Sequence, residues 1–120
     1  MPEQGKLIQI ISEILGVEEE LVTKEASLID DLGAESIDFV DLCYQLEKRF
    51  KIGKVAITDI YPSDIYSLDY SEQNLDALVQ TCPYLGGKMR ELIIKADSFQ
   101  PVRTVQAIEE FLLWRMKNAA

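Results

Sequence analysis

Asp31-Leu32-Gly33-Ala34-Glu35-Ser36-Ile37-Asp38 is the stretch on which the reading of this chain turns. It places a serine at the mouth of an amphipathic helix. From Ser36 to Phe50 the residues Phe39, Leu42, Cys43, Leu46 and Phe50 recur at i, i+3, i+4, i+7 and i+11, a core-facing stripe. A second apolar line, Ile37, Val40 and Tyr44, runs beside it and is flanked by Asp38, Asp41 and Glu47. Periodicity allows two readings of that line: a binding surface, or a helix buried on two sides of a bundle.

The carboxylates around Ser36 raise the question of a calcium loop. A register starting at Asp30 puts Leu32 at position 3, Glu35 where the glycine belongs and Asp41 at position 12, a poor match. A nucleophile elbow needs glycine on both sides of its serine, and only Gly33 is near. What remains is a hydroxyl in the first turn of a helix, approached through a glycine-bearing turn and ringed by acids. A helix N-terminus has free N–H groups and a partial positive charge, which places Ser36 well for a phosphoester. Serine is also a common N-cap, and position alone leaves both roles open.

Composition narrows the chemistry. The 120 residues hold 21 acids against 12 bases and no histidine, a formal charge of −9, with 48% apolar residues. That is material for one core and a single domain spanning residues 1–120. Without histidine, Ser-His-Asp and Cys-His activation and His-based zinc ligation are excluded, so catalysis is disfavoured, any enzyme chemistry would fall to carboxylate, Lys or Tyr groups, and no metal site is expected. Acidity repels phosphate backbones and anionic lipid, so neither nucleic acid nor membrane is an expected partner. Basic proteins are. Residues 1–50 contain 12 acids and 4 bases, residues 51–120 contain 9 and 8, so the charge gathers around the serine helix and its approach. Cys43 and Cys82 fit neither a Cys-x-x-Cys motif nor a disulfide framework and read as reduced core thiols. Met1 to Leu15 lacks the pattern of a signal peptide and no apolar run approaches a membrane span, which makes a cytoplasmic location the expectation.

Outward from the serine helix, Leu7, Ile8, Ile11, Ile14 and Leu15 predict a helix over 4–15, stopped at Gly16. Residues 16–26 read as an ordered loop, and Ser27 to Asp30 as a capped turn. Thr104 is placed to cap a last helix through Val105, Ile108, Phe111, Leu112 and Arg115, with Glu109 and Glu110 facing outward. Between Gly53 and Arg103, Leu75, Leu78, Val79 and Cys82 predict a helix ending before Pro83, and Lys88 to Lys95 a further short helix. Val55 to Ile57 has strand character but no partner.

The stretch from Asp31 to Asp38 closely resembles the signature of the acyl carrier protein family, Asp-Leu-Gly-Ala-Asp-Ser-Leu-Asp, which opens onto that family's second helix. The likeness continues through Leu15-Gly16-Val17, Ala26-Ser27-Leu28, Leu42, Leu46-Glu47 and Phe50, and resumes at Thr104-Val105-Gln106-Ala107-Ile108. It covers about residues 4 to 52 and 102 to 116. It implies an all-α, acyl-carrier-like four-helix bundle, here with an additional helical insertion at about 53–101. It implies that Ser36 receives 4'-phosphopantetheine from coenzyme A through a phosphopantetheinyl transferase, and that the arm's thiol carries acyl groups as thioesters in fatty-acid, polyketide or related biosynthesis. The thiol then belongs to the cofactor, so the missing histidine is expected.

In the family, the second helix docks on basic patches of the transferase and of acyl-loading, ketosynthase-type or acyltransferase enzymes. Glu35, Ile37, Asp38, Val40, Asp41, Tyr44 and Glu47 occupy that face here, on a chain expected to be monomeric. Charge complementarity of this kind speeds encounter and sets orientation. The departures are Glu35 for Asp, a poorer short-range cap; Ile37 for Leu, stiffer beside the serine; and Lys48-Arg49, which reverse charge at the helix's lower end. Glu35 keeps open a rival reading, an unmodified acidic interaction protein with the same fold. An aminoacyl carrier is the other rival. For the insertion the expectation is a specialised partner surface or an enlarged acyl pocket, against an inert excursion with a small core of its own.

Overall fold

The computed structural model describes residues 2–62 and 64–118, apart from the side chains of residues 2–4. Six α-helices follow in order: α1 Pro2–Leu15, α2 Ser36–Phe50, α3 Ile57–Ile60, α4 Glu72–Thr81, α5 Lys88–Ala96 and α6 Val105–Asn118. Short 3-10 turns lie at Glu19–Leu21, Pro83–Gly86 and Gln100–Arg103, and no strand is present among the described residues. Val55 to Ile57, with its strand-like run, leads into the single turn of α3.

α1 ends where its periodic residues do. Gly16 takes φ +67°, a left-handed conformation that a side chain would resist, and its N–H donates to Ser12 O at 2.9 Å. Leu7, Ile10 and Ile11 are buried against α2, whose Phe39, Leu42, Cys43 and Leu46 form the predicted stripe. α2 has no glycine at its C-terminal end, and Lys51 supplies the left-handed residue at φ 53°. Phe50 is only half-buried, with the Lys6 ammonium 6.0 Å from its ring centre.

α6 packs on α1, α3 and α5, which explains one correction to the sequence reading. Glu109 does not face outward; it is 7% exposed. Val105, Ile108 and Leu112 line one face of α6, Ala107 and Phe111 extend it, and Glu109 lies within the arc that neighbours cover from several sides. Two of those neighbours come from the segment between α2 and α6. Arg115, half-buried, donates to Lys54 O at 2.8 Å and meets the Asp59 carboxylate at 3.3 Å, clamping α6 to the approach of α3.

That segment does not fill a small core of its own. Ile60, Ile65, Leu75, Leu85, Met89, Ile93 and Phe99 belong to one apolar cluster with the residues of α1, α2 and α6. Its aromatic rings make the connections: Tyr61 meets Phe39 of α2 edge-on at 5.1 Å, and Tyr84 meets Phe111 of α6 at 5.6 Å. The Tyr84 hydroxyl donates to Ile60 O at 2.7 Å, and α4 starts from Ser71, whose Oγ accepts the Asn74 N–H at 3.0 Å.

Candidate functional site

The approach to α2 is a loop stapled at both ends. Ser27 Oγ accepts the Asp30 N–H at 3.2 Å, the predicted cap, while the returning bond comes from Asp31, whose carboxylate accepts the Ser27 N–H at 2.7 Å. Leu28, Leu32 and Ala34 are buried beneath it, and Gly33 turns the chain at φ +75°. The loop is tied to the start of α6 by a single antiparallel bridge between Ser27 and Thr104: the Leu28 N–H donates to Arg103 O at 3.2 Å and the Val105 N–H to Ala26 O at 3.0 Å. The Ala26-Ser27-Leu28 and Thr104-Val105 blocks, far apart in sequence, are thus one structural unit.

This loop delivers Ser36 as the first residue of α2. The N-cap is Glu35, in extended conformation, and Asp38 Oδ2 accepts its N–H at 2.8 Å. Ser36 is therefore not the cap. Its side chain is exposed, and among the described residues Oγ forms no hydrogen bond. A hydroxyl left free at the positive end of a fifteen-residue helix is accessible for bonding to phosphorus, and the anionic ester would sit beside N–H groups that have no intrahelical acceptor.

The second apolar line is exposed: Ile37 by 67%, Val40 by 62% and Tyr44 by 56%. The two-sided burial that periodicity allowed is thereby ruled out. Glu35 and Asp41 are exposed with it, and Asp38 is partly covered. Glu47 is half-buried, and its carboxylate accepts the Val55 N–H at 2.7 Å, so it holds the chain leaving α2. The reversed charges at the lower end are engaged as well: Arg49 reaches Glu13 at 3.7 Å and Gln45 at 3.3 Å, and the Lys48 ammonium lies 5.9 Å from the Tyr44 ring centre.

Beside Ser36 opens a cleft of about 290 Å3 whose walls include Ile29, Phe39, Ile57, Tyr61, Ile65 and Tyr66. Of these, only Phe39 carried a site-adjacent signal in the sequence. Ile57, Tyr61, Ile65 and Tyr66 are set against Ser36 by the path of the chain after α2, and Ile29 by the loop before it. Arg103, with its guanidinium 4.2 Å from the Tyr66 ring centre and a bond to Ile65 O at 3.4 Å, backs this wall. Burial pushes the Tyr61 hydroxyl well above its ordinary pKa, and nearby Tyr84, Tyr66 and Cys43 add to the effect.

A family model described as "Phosphopantetheine attachment site" matches residues 5–80, which span α1 to α4. The chain belongs to that family. Its relatives include the acyl carrier protein of Thermotoga maritima, 57% identical over 48 residues, which are 40% of this chain and 59% of the relative. The acyl carrier protein of Syntrophobacter fumaroxidans is 47% identical over 49 residues, 41% of this chain and 60% of that protein. The matched stretches thus span about three-fifths of each of these relatives. No solved structure matches the chain. Membership of the attachment-site family implies a covalently attached 4'-phosphopantetheine group. The residues present fit that group: a free exposed hydroxyl, a helix N-terminus behind it and an apolar cleft at its side. When attached, the group supplies a terminal thiol. No helix among the described residues is long and apolar enough to cross a membrane.

Proposed function

We propose that the protein carries acyl intermediates as thioesters on 4'-phosphopantetheine joined to Ser36, in fatty-acid, polyketide or related biosynthesis. The observation that carries this reading is the Ser36 hydroxyl, released from capping by the Glu35–Asp38 pair and presented at the start of α2. Ser36 Oγ bonds to the phosphorus of the pantetheine arm as the bond from that phosphorus to the nucleotide part of coenzyme A breaks, and the serine proton leaves to a base of the transferase. The chain itself orients the hydroxyl and stabilises the ester's charge.

Partners are recognised on the exposed face of α2. Ile37, Val40 and Tyr44 offer apolar contacts, and Glu35, Asp38 and Asp41 steer basic patches on the transferase and on acyl-loading, ketosynthase-type or acyltransferase enzymes. Glu47 contributes to this face chiefly by fixing the chain at Val55. The segment 53–101, which holds α3, α4 and α5, is read as an addition to the core that α1, α2 and α6 form, on the ground that α6 packs against α1. The family match runs on to residue 80, so it includes the first part of that segment.

Incubation with coenzyme A and a promiscuous phosphopantetheinyl transferase, followed by intact mass, tests the reading. The wild-type chain gains the mass of phosphopantetheine and Ser36→Ala does not. An unmodified wild-type chain, alongside a control carrier that is modified, would falsify it.

A further inference from the structure

The segment between α2 and α6 builds two clefts, and only one of them touches Ser36. The second, of about 420 Å3, lies between Thr58, Pro62 and Asp64 on one side and Asn74, Leu78 and Thr81 of α4 on the other. Thr58 and Pro62 line both clefts, so the two meet across a single ridge. A chain tethered at Ser36 that fills the first cleft is led over that ridge to the second.

The two differ in chemistry. The walls near Ser36 are isoleucines and aromatic rings, and the Tyr61 hydroxyl is buried with no partner among the described residues. The second cleft carries oxygen acceptors. Asn74 Nδ2 donates one of its two N–H groups to Asp69 O at 2.8 Å, which leaves the other and the amide oxygen as an acceptor. Thr81 Oγ1 donates its proton to Leu78 O at 3.2 Å, which leaves lone pairs. Asp64 adds a carboxylate, exposed and outside every salt bridge among the described residues.

We propose that this second cleft is a subsite for the far end of the carried acyl group, selecting an end that donates hydrogen bonds, a hydroxyl or an ammonium, over a methyl or a carboxylate. The inference rests on Ser36 as the attachment site. Hydrocarbon suits the first cleft. A donor at the chain's end meets unused acceptors in the second, whereas a carboxylate meets Asp64 with like charge.

The test loads the full chain from coenzyme A thioesters of equal length ending in methyl, hydroxyl, ammonium or carboxylate, with loading checked by intact mass. Two quantities are read: backbone amide shifts by NMR and the rate of thioester cleavage by hydroxylamine. Hydroxyl and ammonium chains are expected to move the amide signals of Asn74, Ala77 and Thr81. Their cleavage is expected to be about fivefold slower than that of the carboxylate chain, the effect of one net hydrogen bond. The difference between the hydroxyl and ammonium arms separates simple hydrogen bonding from pairing with Asp64. In the Asp64→Ala, Thr81→Val double variant, compared at equal loading, the discrimination falls to what the Asn74 amide alone can give, and an undiminished discrimination overturns the subsite. Loaded protein with shifts confined to residues 57–66 and equal cleavage for all four ends overturns the subsite. Failure to load any chain at Ser36 instead overturns the attachment reading, and the subsite with it.

Discussion

Asp38 Oδ2 accepts the backbone N–H of Glu35 at 2.8 Å, and this one bond caps α2 without using Ser36. A carboxylate two residues beyond the serine does the structural work, leaving the serine hydroxyl available. Asp38→Ala should therefore destabilise the fold by about 1 kcal/mol and slow modification of Ser36, as read by urea unfolding and by loading rate. Asp38→Asn keeps an acceptor and should recover most of the stability. If it also recovers the loading rate, the cap matters more than the charge.

Tyr84 and Tyr61 are both buried phenols, and they should respond oppositely to loss of the hydroxyl. The Tyr84 hydroxyl donates to Ile60 O at 2.7 Å, while the Tyr61 hydroxyl has no partner among the described residues. Tyr84→Phe leaves a carbonyl unsatisfied and should cost about 1–3 kcal/mol; Tyr61→Phe removes an orphaned group and should be neutral or stabilising. Urea midpoints of the two variants decide it, and equal losses would mean that Tyr61 has a partner in solution.

Neither cysteine should react in the native fold. Burial, with help from Glu47 and Asp59, pushes the Cys43 thiol up to about 11, and burial also raises Cys82. At pH 8 about one Cys43 in a thousand is thiolate, so a disulfide reagent should titrate essentially no thiol in the unmodified protein. The modified protein should show only the thiol of the arm. Rapid reaction of the unmodified chain would contradict the burial.

Glu110 gives stability a pH dependence of definite sign. Burial raises its pKa; Lys88 and Lys24 oppose this, and Glu109 reinforces it. A carboxyl whose pKa is higher folded than unfolded contributes fully below the unfolded value, and its contribution is lost as pH rises through the folded value. Glu110→Gln should thus be more stable than wild type near pH 7, with the advantage shrinking towards about pH 4. Unfolding curves at both pH values check this, and an advantage that grows on acidification would reverse the assignment.

Local patterning carried most of the helical architecture. α2 begins at Ser36 and ends at Phe50 as its stripe predicts, Gly16 ends α1, and Ser71 caps α4. These features depend on neighbours within a few positions, which periodicity and capping chemistry report directly. The candidate site was legible to the same extent: the serine, its acids and the line of Ile37, Val40 and Tyr44 lie on one helix, while the exposure of that line came only from the fold.

Contacts between distant segments were not legible in this way. The bridge from Ser27 to Thr104, the bond from Val55 to Glu47, the burial of Glu109 and the clefts walled by Ile57, Pro62, Ile65 and Asn74 all join such segments. In one dimension, Glu109 reads as the polar face of a helix; only the elements packed around α6 make that face interior. The sequence therefore specified a serine at the start of an acidic helix and the chemistry that its position favours. The shape of the space beside that serine came from how the segment between α2 and α6 folds back onto the core, because burial is set by what packs from elsewhere in the chain.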